Sequence, residues 1–257
     1  MNFDIPVDVK AEYQENGYVK VPQFLSSTEL VTYRTIIENF HQRWLVEYAD
    51  YYQDGAINSA YVTASKPTEL TLDLSLRNKL FELIASSKLT QLINPLFQSR
   101  FQFMNTQVFF DPKFTSRKNY WHRDGQYHLS LDEQKAALTN ATVLHCRIAL
   151  RNEAGVEVVP KSHVQWDTAE ELAVRLQKGR AHNYDDLTKG KRVALQAGDL
   201  LIFSANMLHR GLYGNDRLAL DIIYCDDSEE LLAFRRSDCL PDEKAAINLD
   251  EPSVFGF

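Results

Sequence analysis

Cysteine is scarce in this chain. Cys146, Cys225 and Cys239 are the only three in 257 residues, an odd number with no CxxC spacing. That suits a reducing, cytoplasmic compartment better than a disulfide framework. Long apolar runs are also missing: stretches such as Leu200–Phe203 fall far short of the roughly 20 residues that cross a bilayer. Positive charge is in deficit, with 28 Lys and Arg against 35 Asp and Glu and a net charge of −7. Nucleic acid and anionic membrane surfaces are therefore not expected as general partners. The opening residues, MNFDIPVDVK, lack a basic start followed by an apolar core, so no signal peptide is expected. No internal repeat, low-complexity tract or shift of composition marks a boundary, and residues 1–257 are expected to form one domain.

What is present is an ordinary globular composition, 44% hydrophobic and 25% charged. Helical signals dominate up to about residue 98. A short helix is expected over 8–16, ended by Gly17, then a strand over 18–21. Ser26-x-x-Glu29 followed by Leu30, Tyr33, Ile37, Phe40 and Trp44 predicts a long helix over about 27–48. Residues 51–70 read as a loop, and 76–86 and 88–97 as two short helices, the second interrupted by Pro95. From Phe101 the character changes. FQFMNTQVFF is β-prone, and strands are expected over 142–150, 156–159, 193–195, 200–203 and 218–224, with a helical turn over 132–139. Asp167-x-x-Glu170 predicts a further helix, ended by Gly179. Helices first and short strands afterwards imply a sandwich, jelly roll or barrel, one sheet face covered by the N-terminal helices.

The chemistry centres on YWHRDGQYH, residues 120–128. On an extended strand His122 and Asp124 would point to one side. With His209 as a distant third ligand, they make two imidazoles and a carboxylate on one face of a metal, a set that suits non-haem Fe(II). Arg217 follows His209 by eight residues across GLYGND, so neighbouring antiparallel strands are expected to carry the two. A guanidinium beside a metal suits a carboxylate held by two hydrogen bonds, hence a 2-oxo acid gripped at both ends. The competing reading pairs Arg217 with Asp216 or Asp221.

The segments WHRDG, VLHCRIALRNEAGVEVVPKSH and GDLLIFSANMLHRG…NDRLALDIIY resemble the phytanoyl-CoA dioxygenase (PhyH) family of Fe(II)/2-oxoglutarate oxygenases, in order, over roughly residues 100–225. The resemblance implies a mainly β fold with flanking helices. Its core would be a double-stranded β-helix (jelly roll, cupin-like), at about 100–225, packed against the helical part at about 1–98. It implies His122, Asp124 and His209 as iron ligands and Arg217 on the distal carboxylate of 2-oxoglutarate. Gln107 falls where relatives place a cosubstrate contact. Arg147 stands where relatives often carry Trp, so it could touch cosubstrate, substrate or a buried acid. PKSH replaces PGSH, losing Gly at a turn position, with Ser162 and His163 read as turn-forming. The implied reaction consumes 2-oxoglutarate and O2, releases succinate and CO2, and hydroxylates an unactivated C–H bond. Related halogenating enzymes lack the carboxylate ligand, so Asp124 favours hydroxylation.

His128 and His145 are further pocket candidates, His145 alternating with Arg147 on one strand face, whereas His41 and His182 read as surface positions. Two other readings compete: a cupin-like metal enzyme that does not use 2-oxoglutarate, which Arg217 disfavours, and a non-catalytic binding protein with a relic site, which the complete ligand set disfavours. Lys113, Arg117, Lys118 and Arg123 lead into the motif with no acid among them, from which an anionic small-molecule substrate is expected.

Overall fold

Side-chain caps set the helix starts. In the computed structural model, which describes residues 8–53, 59–66, 69–114 and 116–257, Asp8 accepts from the Ala11 amide and opens α1 (Val9–Asn16). Gly17 closes it in the left-handed conformation, and β1 (Tyr18–Val21) follows at once. Ser26 and Glu29 form the expected capping box of α2 (Ser27–Glu47), which buries Tyr33, Ile36, Ile37, Phe40 and Trp44. The loop expected over 51–70 lies partly outside the described residues. Its described part holds the end of α3 (Ala49–Gln53) and β2 (Ser59–Tyr61), which is too short for alternation to register in sequence. Next come α4 (Leu74–Ile84) and α5 (Ser87–Ile93), with Pro95 in a 3-10 turn.

The β-prone decapeptide forms β3 (Phe101–Phe110). It is followed by α6 (Leu131–Asn140), β4 (Val143–Ala149) and β5 (Glu153–Val158). Gly155, just outside the strand expected over 156–159, sits inside β5 at an irregularity in register. Its φ is 82°, and a Cβ there would lie 1.9 Å from the Val193 carbonyl oxygen, so only glycine fits. In α7 (Ala169–Arg175) the cap is Thr168 with Glu171, one residue beyond the expected Asp167, and the helix ends before Gly179. The Asp167 carboxylate is taken by Arg123 and Arg175. Then come β6 (Lys191–Leu195), β7 (Leu200–Ser204), β8 (His209–Gly211), β9 (Leu218–Asp226), α8 (Glu229–Leu232) and α9 (Glu243–Ala246).

The strands make two antiparallel sheets, ordered β1-β7-β4-β9-β3-β2 and β6-β5-β8. This is the expected jelly-roll core flanked by helices. On β4 and β9, Leu144, Cys146, Ile148, Leu220, Ile222 and Tyr224 join a large apolar cluster with Ile37, Phe40, Phe81 and Ile84 of the helices. The alternate residues face the smaller sheet. In register across β4, β9 and β3 these include the row Arg147, Asp221, Gln107 and the row His145, Ile223, Asn105. Tyr18, Val156, Val158, Val193, Leu201, Phe203 and Met207 pack into a second apolar cluster. All three cysteines are buried and free, and no helix among the described residues is long and apolar enough to cross a membrane.

Candidate metal centre

Backbone pairing brings the distant histidines together. The His122 amide donates to the His209 carbonyl and the His209 amide to the His122 carbonyl, both at 2.9 Å, so the motif adds one residue pair to the β8 edge. The ladder stops there. Asp124 begins a 3-10 turn, Asp124–Tyr127, so the expected single strand carrying both residues does not extend past Arg123. The flanking side chains anchor the segment. Trp121 is fully buried and its indole N–H donates to the Asp185 carbonyl at 2.9 Å. Arg123, 2% exposed, donates to Asp167, to the Ser162 and Gln165 carbonyls and to the Asn206 carbonyl. Arg123 is thus a structural anchor and not, as expected, part of an exposed basic loop. Ser162 ties the neighbouring turn to β8, its hydroxyl oxygen accepting from the Leu208 amide at 2.8 Å. Lys161 takes the left-handed backbone, φ 68°, at the position where the resemblance places Gly.

The result is one ligand atom each from His122, Asp124 and His209, all within 4.8 Å of one another. Asp124 Oδ1 stands 3.5 Å from His122 Nε2 and 3.6 Å from His209 Nε2. The His122 Nδ1–H faces the Tyr120 carbonyl oxygen at 3.1 Å and the His209 Nδ1–H faces the Met207 carbonyl oxygen at 2.9 Å. Those bonds select the tautomer that leaves each Nε2 lone pair free for a metal. Burial, with the neighbouring His122, pushes His209 down to about 3, and burial lowers His122 as well. Both are therefore neutral near pH 7, as ligands must be. Burial would raise the Asp124 carboxyl, but His209 and His145 outweigh it and hold the group well below the usual carboxylate range. Two neutral imidazoles and one carboxylate fit an Fe(II) facial triad.

The other oxygen of Asp124 has a partner that the motif did not announce. His145 Nε2 lies 2.7 Å from Asp124 Oδ2, and His145 Nδ1 lies 2.9 Å from Asp221 Oδ2. Burial alone would lower His145, but Asp221 and Asp124 push it up to about 10. Tyr120 and Tyr127 flank His122, with ring centroids 5.1 and 5.9 Å away. His145 was legible only as an inward alternation with Arg147, and the two tyrosines carried no signal beyond proximity in sequence.

Arg217 is not on a strand beside His209. β8 belongs to the small sheet and β9 to the large one, because Leu212–Arg217 crosses between sheets. Gly214, Asn215 and Asp216, all at positive φ, make that turn. The guanidinium still lies against the His209 strand: a Cβ on Gly211 would be 2.8 Å from Arg217 Nη2. Neither expected acid holds it, since Asp216 pairs with Arg151 and Asp221 with His145. Arg147 has a buried acid, Glu153, bound through two hydrogen bonds of 2.9 Å. Glu153 is also the ion-pair partner of Arg217, but at 3.9 Å, and Arg217 Nε is buried with no hydrogen-bond partner among the described residues. Two buried guanidiniums thus face one buried carboxylate. Burial and then the neighbouring Arg147 push Arg217 down to about 10. Gln107 sits half-buried on β3, its amide donating to Asn105 at 3.3 Å.

The remaining histidines lie elsewhere. His128 is exposed beside Phe234 and His182 is exposed against Tyr184. His163 packs on Tyr13, away from the triad, as a turn residue. His41, expected at the surface, is half-buried against Phe110 with its Nε2 unpartnered among the described residues, because α2 lies flat on the core.

A jelly roll with a His-Asp-His cluster beside an undersatisfied buried guanidinium defines a candidate metal-dependent enzyme of 2-oxo acids. The chain belongs to the phytanoyl-CoA dioxygenase (PhyH) family, which it matches over residues 13–213. No curated protein matches it. Among solved structures it is similar to AviO1 from Streptomyces viridochromogenes Tue57, at 15% identity and a TM-score of 0.57, over 86% of this chain and 94% of that one. It is also similar to HygX from Streptomyces hygroscopicus with iron bound, at 13% identity and a TM-score of 0.59, over 83% and 84%. A third is the epimerase SnoN in complex with Fe3+, alpha ketoglutarate and nogalamycin RO, at 19% identity and a TM-score of 0.52, over 85% and 82%.

Proposed function

We propose that the protein is a non-haem Fe(II)/2-oxoglutarate-dependent dioxygenase that hydroxylates an unactivated C–H bond of a small anionic molecule. The observation that carries this reading is the positive charge left over when Arg147 and Arg217 share Glu153, set beside the His122–Asp124–His209 cluster. A buried cation with an unpartnered N–H calls for an anion that can reach it. The distal carboxylate of 2-oxoglutarate answers that need.

Iron, 2-oxoglutarate and O2 together supply the oxidant, with succinate and CO2 as by-products. The chain's own residues do the rest. His122, Asp124 and His209 hold the metal, and Arg217 binds and orients the cosubstrate. Gln107, on the same interior face, adds an amide contact. Arg147 keeps Glu153 in place and adds positive potential. Phe109, over which both guanidiniums lie at 5.6 Å from the ring centroid, keeps water from them. Anionic substrate recognition falls to Lys113, Arg117 and Lys118 on the segment entering the motif, without Arg123.

The test is a screen of small molecules by mass spectrometry, scoring a 16-dalton gain that requires both iron and 2-oxoglutarate. The expected result is such a gain with matching succinate. A metal-dependent conversion indifferent to 2-oxoglutarate would sink the cosubstrate assignment. Succinate without a mass gain in any molecule offered would support turnover of 2-oxoglutarate and count against hydroxylation of those molecules. For substrate charge, a carboxylate is compared with its methyl ester at low and high salt. Equal turnover under all conditions would remove the basic segment from recognition.

A further inference from the structure

The two oxygens of Asp124 face different partners. Oδ1 looks toward the Nε2 atoms of His122 and His209, while Oδ2 is 2.7 Å from His145 Nε2. Two ring contacts and a place in mid-sheet fix the plane of the His145 ring. Asp221 Oδ2 holds Nδ1 at 2.9 Å, Phe203 stacks on the ring at 4.7 Å and 15°, and His145 sits in mid-sheet between Phe203 of β7 and Ile223 of β9. Asp221 is 2% exposed and its Oδ1 has no hydrogen-bond partner among the described residues. A buried carboxylate left half-satisfied is costly. A residue serving only to pack between β3 and β4 would be apolar, as Ala219 and Ile223 are on the same face of the strand.

We propose that His145 is a positioning residue for the metal centre: it clamps Asp124 Oδ2, so that Asp124 offers the metal one oxygen, and Asp221 orients the clamp. This rests on the assignment of His122, Asp124 and His209 as metal ligands. A carboxylate held by one oxygen occupies one coordination position where a two-oxygen grip would occupy two. The clamp therefore keeps a position open for cosubstrate or O2. It also orders Asp124 before metal arrives, which matters because Asp124 starts a turn rather than lying in a ladder. Partners behind metal ligands commonly affect metal affinity 10–100-fold.

The experiment titrates the metal-free protein with cobalt(II), followed by its d–d absorption. It compares His145→Gln, whose amide nitrogen falls near the position of Nε2 and can still donate to Asp124, with His145→Asn, whose shorter amide reaches only toward Asp221. The expected result is affinity within about threefold of wild type for His145→Gln and a loss of about 10–100-fold for His145→Asn. The cobalt spectrum should change only in the second variant. If the two variants bind equally and share one spectrum, His145 is a packing residue and the proposal fails. Should His145→Asn not fold, Asp221→Asn against Asp221→Leu makes the same comparison. The amide still accepts from His145 and the leucine does not, so equal affinities there overturn the proposal too. Wild-type protein that takes up no cobalt would instead remove the metal centre itself.

Discussion

On β4 and β9, neighbouring residues meet opposite surroundings. Leu144, Cys146, Ile148, Leu220, Ile222 and Tyr224 enter the helix-covered core, while His145, Arg147 and Asp221, one step along the same strands, form ion pairs between the sheets. The apolar face is redundant, since many side chains share the burial. The polar face is not. Glu153 serves two arginines, Asp221 serves one histidine, and Asp124 stands among three. Changes on the first face should therefore be read in stability, and changes on the second in metal and cosubstrate binding.

Asp124→Ala should have the largest effect. Turnover is lost and metal binding is weakened, while thermal unfolding of the metal-free protein stays near wild type. Turnover like wild type would take Asp124 out of the site. Ile148→Ala tests the opposite face: it should cost about 2–5 kcal/mol of stability by denaturant unfolding, with kcat per folded molecule unchanged. A loss of kcat without a loss of stability would erase the division between the faces.

Arg217→Ala should cost about 2–5 kcal/mol of cosubstrate binding, raising the 2-oxoglutarate requirement at least tenfold while leaving cobalt affinity in place. An unchanged requirement would shift attention to Arg147. Gly211→Ala should move the same quantity less, because the new Cβ must push Arg217 Nη2 from 2.8 Å. If its 2-oxoglutarate KM equals that of wild type, the guanidinium is free to yield.

The smallest effect belongs to His41, on the helix side. Burial holds it below its ordinary value, so the unfolded chain binds the proton more readily. Stability should fall as pH drops below about 6.5. His41→Phe should lose less stability between pH 7 and pH 5 than wild type does. Parallel curves would mean that the imidazole is solvated.

Much of the fold was legible because its signals are local. Ser26 with Glu29 announces α2, the β-prone run FQFMNTQVFF matches β3 to the residue, and the order of helices and strands points to a jelly roll. β2 and β8, at three residues each, are too short to alternate visibly, and α7 starts one residue late, Asp167 being claimed by Arg123 and by Arg175 at the helix's own end.

The His122 and Asp124 spacing, the downstream His209 and Arg217 eight residues beyond it were all present in sequence order alone, since each belongs to a short motif with its own chemistry. Only the tertiary structure decided which acids neutralise which cations. It paired Arg147 with Glu153, left Arg217 among the described residues with a looser 3.9 Å ion pair to the same acid, withdrew Arg123 into the protein, and set His145 between Asp124 and Asp221. Ion pairing depends on distances between residues such as His145 and Asp221, 76 positions apart. Local propensity carries no information about those distances until the sheets have closed.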